Sequence, residues 1–507
     1  MDILLVGPNG SGLPLLSSYY SPPVGVLRLA AFLRKRGHNA EWFDPNLHMI
    51  SAKGKTLEER LRERQWDIVG FSLLDVTLLN DFAGMHLARR ICPKARIIAG
   101  GIEAQFNYQA VLDKTPCSVV VLGEGEIPML MLANGDPVHE IPGIVFKSDA
   151  KPLRQEEFDE ATSAIAWEEI NYEDYWDFYV EKKRADQSDG LNQWMADKEI
   201  HTARIFARNR CPVGCTFCSS TNQLTWGSGG KVPVVSVSND VLIETIQRIK
   251  AGHPRIQTIY LTDDDFCINR RAVIDFCKKV IDHGHTDLTY IAFARSMDVD
   301  DELLSWLKKA NFRTLNIGIE SFSDRVLDEM GKRCDAQVNH RALEMAKRHD
   351  VNVYMNMILI TPLSSLEDIE ISLIEGRRYA EDSFYKVGIN YGVKPFKGSE
   401  MAERHVNFLS EVHYLEDKRT PIRRDEMIWA EDPLVRQVQE RYHHGITDEV
   451  RRCAAEQGMV METYTRLPWI TLAKFDFMQR LIDEVRAENG IYVEKRQPEQ
   501  RPLRAVK

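Results

Sequence analysis

The chain has 507 residues, of which 44% are hydrophobic and 28% charged, and this composition excludes a disordered or collagen-like protein. At about 150 residues per domain, the length predicts about three domains. The 65 basic and 75 acidic residues give a net charge of −10, which argues against a protein that wraps a nucleic acid backbone.

The amino-terminal sequence predicts a buried strand and no targeting segment. Its apolar run has no Lys or Arg before it and ends at Gly7-Pro8, too early for a signal peptide. The longest weakly charged stretch, residues 351–366, is interrupted by Asn352, Asn356 and Pro362 and is shorter than the ~20 apolar residues of a membrane helix. We therefore expect a cytoplasmic protein without a membrane partner.

Residues 1–150 alternate short apolar runs with helical patterns, which is typical of an α/β domain with a doubly wound, Rossmann-like parallel sheet. Strands are predicted at residues 3–6, 67–71, 96–99, 118–122 and 144–146, and crossover helices at residues 24–36 and 78–90. Ligands of such sheets lie across the carboxyl ends of the strands. Residues 151–199 lose this periodicity and contain aromatic residues such as Trp176 and Trp194, which indicates a connecting segment that packs on its neighbours.

A second alternation over residues 200–396 predicts a partial (β/α)6, TIM-like barrel whose chemistry lies at the carboxyl ends of the strands. Strands are predicted at residues 203–207, 256–261, 288–294, 314–319, 352–359 and 386–391, and helices at residues 241–250, 271–282, 301–309, 336–348 and 365–379. Residues 397–507 form a predicted helical region. Its aromatic residues Tyr464, Trp469 and Phe475 are candidates either for a substrate-facing lid or for plain core.

Three of the nine cysteines, Cys211, Cys215 and Cys218, lie within eight positions directly after the first barrel strand. This crowding favours metal binding over a disulfide framework. Pro212 and Gly214 keep the segment in a loop, so that three thiolates can converge on one centre. Iron–sulfur clusters normally have four cysteine ligands, and a three-cysteine cluster leaves one iron open to a small molecule. A structural zinc with a distant fourth ligand and plain buried thiols are the alternatives.

The spacing Cys211-x-x-x-Cys215-x-x-Cys218, with the aromatic Phe217 before the last cysteine, resembles the signature of radical S-adenosylmethionine (SAM) enzymes. The six-strand count matches their partial barrel. The resemblance implies a 4Fe-4S cluster whose open iron binds SAM and whose electron releases a 5'-deoxyadenosyl radical. It also implies that Phe217 flanks the adenine. The Arg-Gly that commonly precedes the first cysteine is replaced here by Asn209-Arg210.

Further residues at barrel strand ends extend this resemblance. Asp263 and Asp264 follow the second strand, as in the cobalamin-binding branch of the family, while Arg295 and Glu320 end the third and fourth. The resemblance implies that these four residues help to bind SAM, Arg295 and Glu320 at its methionine and ribose. Alternatively, the aspartates could cap the helix near Asn269, and the other two could form surface ion pairs. Their position at three successive strand ends favours the ligand role.

Residues 1–146 closely resemble the cobalamin-binding domain of that branch. The glycine-rich residues 7–12 lack the lysine and the spacing of nucleotide-binding loops. No Asp-x-His-x-x-Gly motif supplies an axial histidine to cobalt, and residues near Ser72 to Val76 would face the lower side of the corrin. The candidate cobalamin-binding residues lie at strand ends: Ser72, Leu74, Val76, Gly100, Gly101, Glu103, Gly123, Glu124, Gly125 and Glu126.

The resemblance predicts a cobalamin-dependent radical SAM enzyme. Among the activities of that family it favours a methyltransferase that uses methylcobalamin to methylate an unactivated carbon. Its partners would be a small-molecule substrate and a reductant such as flavodoxin or ferredoxin, with no nucleic acid. Ring rearrangement, cyclisation or oxidation without methyl transfer is the alternative within the family, and a non-catalytic cobalamin or iron–sulfur sensor is the alternative outside it. A methylthiotransferase would need three further cysteines in the first domain, which has only Cys92 and Cys117.

Overall fold

The computed structural model describes residues 1–11, 20–145, 149–185, 197–220, 227–230, 232–415, 421–456 and 468–491. The amino-terminal part is built on one parallel sheet with the strand order β2-β1-β3-β4-β5. Its strands are β1 Asp2–Val6, β2 Asn39–Phe43, β3 Ile68–Ser72, β4 Arg96–Gly100 and β5 Val119–Val120. Its helices are Val24–Arg34, Leu47–Ile50, Leu57–Arg62, Leu78–Ile91, Ile102–Phe106, Tyr108–Lys114 and Glu126–Asn134.

The doubly wound sheet is confirmed, with two local differences. The edge strand β2 was not predicted, because its five residues mix polar and apolar side chains without a clear alternation. The strand predicted at residues 144–146 is reduced to one antiparallel bridge between Val121 and Ile144. Gly12 and Phe146 lie outside the described residues.

The connecting segment contains the helices Gln155–Ser163, Tyr172–Ala185 and Asp197–Ile200. Trp167, Tyr172 and Trp176 are fully buried and share a hydrophobic core with the barrel. The Trp176 indole donates a hydrogen bond to the Thr202 carbonyl at the start of the barrel (3.2 Å). The segment therefore packs on its neighbours as the sequence indicated, while Trp194 lies outside the described residues.

The second sheet is parallel, with the strand order β11-β10-β9-β8-β7-β6, and all six predicted barrel strands and all five predicted helices are confirmed with small shifts of their ends. The strands are β6 Thr202–Ile205, β7 Thr258–Leu261, β8 Thr289–Arg295, β9 Phe312–Glu320, β10 Asn352–Ile358 and β11 Tyr385–Asn390. The helices are Asn239–Gly252, Arg270–Asp282, Asp301–Lys309, Asp324–Glu329, Ala336–Arg348 and Leu366–Ala380.

Side-chain caps fix where all six of these barrel helices begin. In each case the capping side chain accepts a hydrogen bond from the backbone N–H three residues further on, and the caps are Ser238, Asn269, Asp300, Ser323, Asp335 and Ser365. Such caps satisfy N–H groups that have no partner within the helix. Because each helix starts at a defined residue, the loops between strand ends and helices have fixed lengths, and these loops carry the candidate site.

Beyond the barrel the chain forms a short helix, Glu400–Arg404, and a β-hairpin that the sequence analysis did not predict. Strand β12, Phe408–Tyr414, pairs antiparallel with β13, Pro421–Ile428. The predicted helical region begins only at Pro433, with the helices Pro433–Glu456 and Pro468–Glu488. Phe475 is buried in the barrel's core, so the core interpretation of this residue is confirmed, whereas Trp469 is half-buried. Tyr464 lies outside the described residues.

The hairpin connects the two sheets. Leu415 and Ile422 belong to the hydrophobic core of the amino-terminal sheet, and Lys114 donates a hydrogen bond to the Pro421 carbonyl (2.6 Å). At the other end of the hairpin, Ile428 is buried in a cluster that also contacts Phe217 in the cysteine loop. Within the described residues, no helix is both long and apolar enough to cross a bilayer.

Candidate active site

The carboxyl ends of the two parallel sheets face each other across one crevice. Asp75, which follows β3, forms an ion pair with Lys394, which follows β11, and it lies 3.5 Å from the Arg424 guanidinium on β13. Nearby, the backbone of Gly398 lies so close to the Phe106 ring, just after β4, that a β-carbon there would collide with it. The strand ends of both sheets therefore border the same space.

The cysteine loop, residues 211–218, is hydrogen-bonded to two other segments of the barrel. Thr216 donates from its backbone N–H to the Met330 carbonyl (3.0 Å) and from its hydroxyl to the Glu329 carbonyl (2.8 Å). The Met401 N–H in turn donates to the Thr216 carbonyl (2.8 Å). These bonds hold the middle of the loop, next to Cys215, against segments that follow β9 and β11.

The three cysteines of the loop are half-buried, and none of them is in a disulfide bond. Burial, with smaller contributions from the nearby Asp264 and Cys215, raises the pKa of Cys211 to about 12 and that of Cys218 to about 11; burial also raises the pKa of Cys215. Metal binding removes such protons, because thiolates are the ligands. Three adjacent thiols fit an iron–sulfur cluster, which takes cysteine thiolates. Among the described residues, no three ligating side chains converge closely enough to hold a single metal ion, and a four-iron cluster is larger than one ion.

Asp263 supports the segment that leads from β6 into the cysteine loop. Its buried carboxylate accepts hydrogen bonds from the backbone N–H groups of Ala207 (2.9 and 3.0 Å) and Arg208 (2.6 Å). Burial raises the pKa of Asp263 to about 6, although these bonds favour the charged form. Asp264 is exposed and accepts a hydrogen bond from the Ser220 hydroxyl. The structure thus places both predicted aspartates at the site, with Asp263 in contact with the protein backbone.

Arg295 lies between two acidic side chains. Its Nε is 2.9 Å from the carboxylate of Asp265, which sequence reasoning did not single out, and its Nη2 is 2.7 Å from that of Asp298. Among the residues that the structure describes, its Nη1 donates a hydrogen bond to the Met297 sulfur alone (3.2 Å), a weak acceptor. Burial and the neighbouring Asp298 raise the pKa of Asp265 to about 7, despite Arg295. The Nη1 group is therefore the donor that a ligand could take over most readily.

Glu320 ends β9 with a positive φ of 60°, an uncommon conformation for a residue with a side chain. Its carboxylate lies 3.2 Å from the ammonium group of Lys332. Lys332 was missed by the sequence analysis, since nothing in the local sequence indicates that this lysine is buried. Glu320 does form an ion pair, but the alternative that placed this pair at the surface is wrong, because both partners are buried.

Phe217 and the barrel lumen provide the apolar surfaces of the site. Phe217 packs against a cluster that includes Met330 and Met401. Within the lumen, the half-buried rings of Tyr260 and Phe293 stack at 5.8 Å, and Asn316 donates a hydrogen bond to the Tyr260 hydroxyl (2.9 Å). The lumen thus combines aromatic faces with an amide group, as small-molecule sites commonly do.

On the other side of the crevice, Leu74 and Val76 flank Asp75 and are 42% and 38% exposed, so both offer apolar surface to a ligand. Glu103 lies close to the charged residues of the crevice. Burial and Asp75 raise the pKa of Glu103 to about 7, while Lys397, Lys394 and Arg424 oppose this shift. The apolar pair with neighbouring charged groups fits the flat face and the amide-bearing rim of a corrin.

The predicted glycines lie at the strand ends. Gly101, with a φ of 91°, approaches the Leu73 backbone, where a β-carbon would lie 3.0 Å from the carbonyl oxygen. A β-carbon at Gly100 would meet only Val121, at 3.8 Å. Ser72 is half-buried at the end of β3, and Gly125 precedes the helix Glu126–Asn134. The close packing of this turn within the domain is therefore enough to explain the glycine at position 101.

Two of the predicted cobalamin-binding side chains make contacts within the protein. Glu126 is buried and forms an ion pair with Arg28 (2.6 Å), whose guanidinium lies over the rings of Phe158 and Phe206. Glu124 accepts a hydrogen bond from the Leu153 N–H (2.6 Å), and burial and Glu126 raise its pKa to about 7. Gly123 donates to the Gln105 side chain (2.8 Å). The roles of Glu124 and Glu126 in cobalamin binding stay predictions, since their carboxylates already bind protein groups.

Comparison with protein families agrees with this geometry. A model of the radical SAM superfamily matches residues 206–373, and a model of the B12 binding domain matches residues 15–133. The chain carries a B12-binding domain followed by a radical SAM domain. The predicted resemblance to cobalamin-dependent radical SAM enzymes is thereby confirmed. A radical SAM domain implies a 4Fe-4S cluster and SAM, and a B12-binding domain implies cobalamin.

Relatives of this radical SAM enzyme differ in their named activities. The chain is 24% identical to an uncharacterized methyltransferase of Pyrococcus horikoshii, over 80% of this chain and 83% of that protein. It is 26% identical to an anaerobic magnesium-protoporphyrin IX monomethyl ester cyclase of Cereibacter sphaeroides, over 69% of this chain and 55% of that protein. The solved structure of the radical SAM methyltransferase TsrM from Kitasatospora setae, with cobalamin and a 4Fe-4S cluster bound, has a TM-score of 0.64 at 14% identity, over 96% of this chain and 100% of that chain. That likeness shows a shared fold.

Proposed function

We propose that the protein is a cobalamin-dependent radical SAM methyltransferase that methylates an unactivated carbon of a small molecule. The observation that supports this proposal is the ion pair of Asp75 with Lys394, which joins the strand ends of the two sheets beside the exposed Leu74 and Val76. The segment that follows Lys394 is in turn bonded to the cysteine loop, through the Met401 N–H and the Thr216 carbonyl. When bound, the cluster and SAM supply one-electron chemistry, and cobalamin supplies the methyl group. Radical chemistry requires the reacting groups to be held in a fixed geometry away from water.

Different residues of the protein would hold the cluster, support the cysteine loop and bind SAM. Cys211, Cys215 and Cys218 would hold the cluster, and Asp263 holds the segment that leads into their loop through two backbone N–H groups. Phe217, Asp264, Arg295 and Glu320 remain the proposed contacts to SAM. For Arg295 this requires Nη1 to exchange the Met297 sulfur for a ligand oxygen, a stronger acceptor.

The substrate would occupy the space between the lumen and the B12-binding domain. Tyr260, Phe293 and Asn316 offer it aromatic faces and an amide. An external one-electron donor such as flavodoxin or ferredoxin would reduce the cluster. We retain the predicted division into a cobalamin-binding domain at residues 1–150, a connecting segment at 151–199, a barrel at 200–396 and a carboxyl-terminal region at 397–507.

A second candidate function is ring closure without methyl transfer, which the similarity to the Cereibacter sphaeroides cyclase favours. Counting the products of SAM separates the two functions. The anaerobically reconstituted protein, loaded with cobalamin, is incubated with SAM and a strong reductant, and S-adenosylhomocysteine and 5'-deoxyadenosine are measured. Methyl transfer predicts both products, because one SAM methylates cobalt and another is cleaved.

A ring-closing enzyme would form 5'-deoxyadenosine with little S-adenosylhomocysteine, and that result would contradict the methyltransferase. The absence of both products would favour a sensor. The Cys215→Ala variant is the matched control, since it should lose 5'-deoxyadenosine formation.

A further inference from the structure

A buried ion pair lies directly beside the cysteine loop. Lys332 is 4% exposed and Glu320 is 8% exposed, and their charged groups are 3.2 Å apart. Lys332 follows Gly331, whose φ of 64° turns the chain back toward β9 after the helix Asp324–Glu329. Removing two charges from water is costly, so a buried pair without further use is weak evidence of stabilisation.

The turn that carries Lys332 is bonded to the loop next to Cys215. The carbonyls of Glu329 and Met330 accept both hydrogen bonds from Thr216, and a β-carbon on Gly331 would lie 3.4 Å from the Thr216 methyl group. Burial alone would lower the pKa of Lys332, yet it is raised, because Glu320 and Cys215 lie close to the ammonium group. The Glu320 carboxylate, 3.2 Å away, favours the charged ammonium group, and the hydrogen bonds from Thr216 keep the turn of Lys332 beside the proposed cluster ligand Cys215.

We propose that Lys332 tunes the iron–sulfur cluster through Cys215, by stabilising its reduced form, and that Glu320 limits this effect. An electron from an external reductant makes the cluster one unit more negative. A fixed positive charge nearby stabilises that state and raises the midpoint potential, and a fixed negative charge lowers it. The proposal rests on the assignment of Cys211, Cys215 and Cys218 as cluster ligands. Lys332 acts here only through its positive charge, and it forms and breaks no bond in the reaction.

The test is an anaerobic redox titration of the cluster in the full-length protein without SAM, followed by EPR of the reduced state. Lys332→Met should lower the midpoint potential, because it leaves the charge of Glu320 uncompensated. Glu320→Gln should raise it, because it leaves the charge of Lys332 alone. Lys332→Arg keeps the charge and should stay near the wild type. Lys308→Met, which removes a surface lysine paired with Asp350 at 2.7 Å, should leave the potential unchanged.

Opposite shifts in the two variants support the proposal, since a purely structural role would not reverse its sign. Shifts in the same direction, or no shift, at normal iron content would overturn it. If Lys332→Met loses its cluster, the Glu320→Gln protein decides: an increase supports the proposal, and an unchanged or lower potential overturns it. Wild-type protein without iron and sulfide would instead refute the ligand assignment.

Discussion

Lys394, just beyond the last barrel strand, forms an ion pair with Asp75, just beyond the third strand of the B12-binding domain. Arg424 on the hairpin approaches the same carboxylate at 3.5 Å. One side chain of the first domain therefore faces two cations from the second half of the chain. Asp75 lies between Leu74 and Val76 in the chain, which are the proposed contacts to the corrin, and so the pair links the two halves of the protein at this point.

Asp75→Asn is expected to weaken cobalamin binding. Lys394 loses its ion-pair partner at the edge of the crevice, while Arg424 keeps Glu426 at 3.2 Å. A partly buried pair of this kind is worth about 1 kcal/mol, or roughly a fivefold change in Kd. Binding is measured by titrating the anaerobic protein with cobalamin and recording the absorption spectrum. Asp287→Asn, which breaks an ion pair with Lys250 before β8, should bind like the wild type. Equal affinities in the two variants would count against the role of Asp75.

Ile422→Asp is expected to detach the hairpin from the B12-binding domain. Ile422 is 3% exposed within that domain's hydrophobic core, and burying an unpaired carboxylate there would cost roughly 3 kcal/mol or more. Hydrogen exchange should speed up in β12 and β13, and the melting temperature should fall. Val412→Asp, at a position 54% exposed on the same hairpin, is the control and should change neither. Unaltered exchange in Ile422→Asp would mean that the docking is unimportant.

Asp263→Ala is expected to reduce cluster retention. The backbone N–H groups of Ala207 and Arg208 would lose their buried acceptor, and the segment that leads into the cysteine loop would loosen. Iron and sulfide are counted after anaerobic reconstitution and desalting. Asp264→Asn removes a charge from the adjacent position, where the side chain is exposed and contacts Ser220, and should keep its iron. Equal iron in both variants would show that Asp263 does not support the loop.

Asp81→Asn is expected to stabilise the protein increasingly as the pH rises. Asp81 is buried beneath the Leu74–Val76 segment, where it accepts hydrogen bonds from Thr77 and the Asn9 N–H, and burial raises its pKa to about 8. A raised carboxyl pKa means that the folded state favours the protonated form, so wild-type stability falls between about pH 4 and pH 8. The variant has no carboxyl group at this position and does not lose stability in this way. By pH 8 its free energy of unfolding should therefore exceed that of the wild type by roughly 2–4 kcal/mol.

Urea unfolding of the wild type and Asp81→Asn at several pH values measures this difference. Asp113→Asn, at an exposed site on the same domain, provides the control and should follow the wild type at every pH. A stability difference for Asp81→Asn that is independent of pH, or that shrinks as the pH rises, would contradict the assignment.

Strong periodicity made most of the fold predictable. The barrel strands and helices follow from apolar runs and amphipathic patterns that need no tertiary information. The hairpin does not, because only three of the fifteen residues of β12 and β13 are buried and β13 carries four consecutive charged residues, which resembles a surface helix in the sequence. Its stability comes from Leu415 and Ile422, which are buried against strands and helices some three hundred residues earlier in the chain. Local sequence contains no signal for such long-range contacts.

The parts of the site that depend on the spacing of residues in the sequence were predictable. The parts that depend on which side chains pair in the folded structure were not. The family resemblance carried by the cysteine spacing and by the residues at strand ends pointed to the loop and to Asp263, Arg295 and Glu320, whose cofactor-binding roles stay predictions. The partners that decide what those side chains can do, Asp265 and Lys332, appear only once the strand ends are brought together. Similarly, the contacts of Glu126 with Arg28 depend on how a helix packs on the sheet.

The most direct test of the central claim is EPR of the reduced protein that contains cob(II)alamin, because both cofactors are then paramagnetic. Since the cysteine loop and the Leu74–Val76 segment border one crevice, the two signals should split or broaden each other, and the interaction should vanish in Cys215→Ala. A spectrum that is the simple sum of an isolated cluster and an isolated cob(II)alamin would contradict the account.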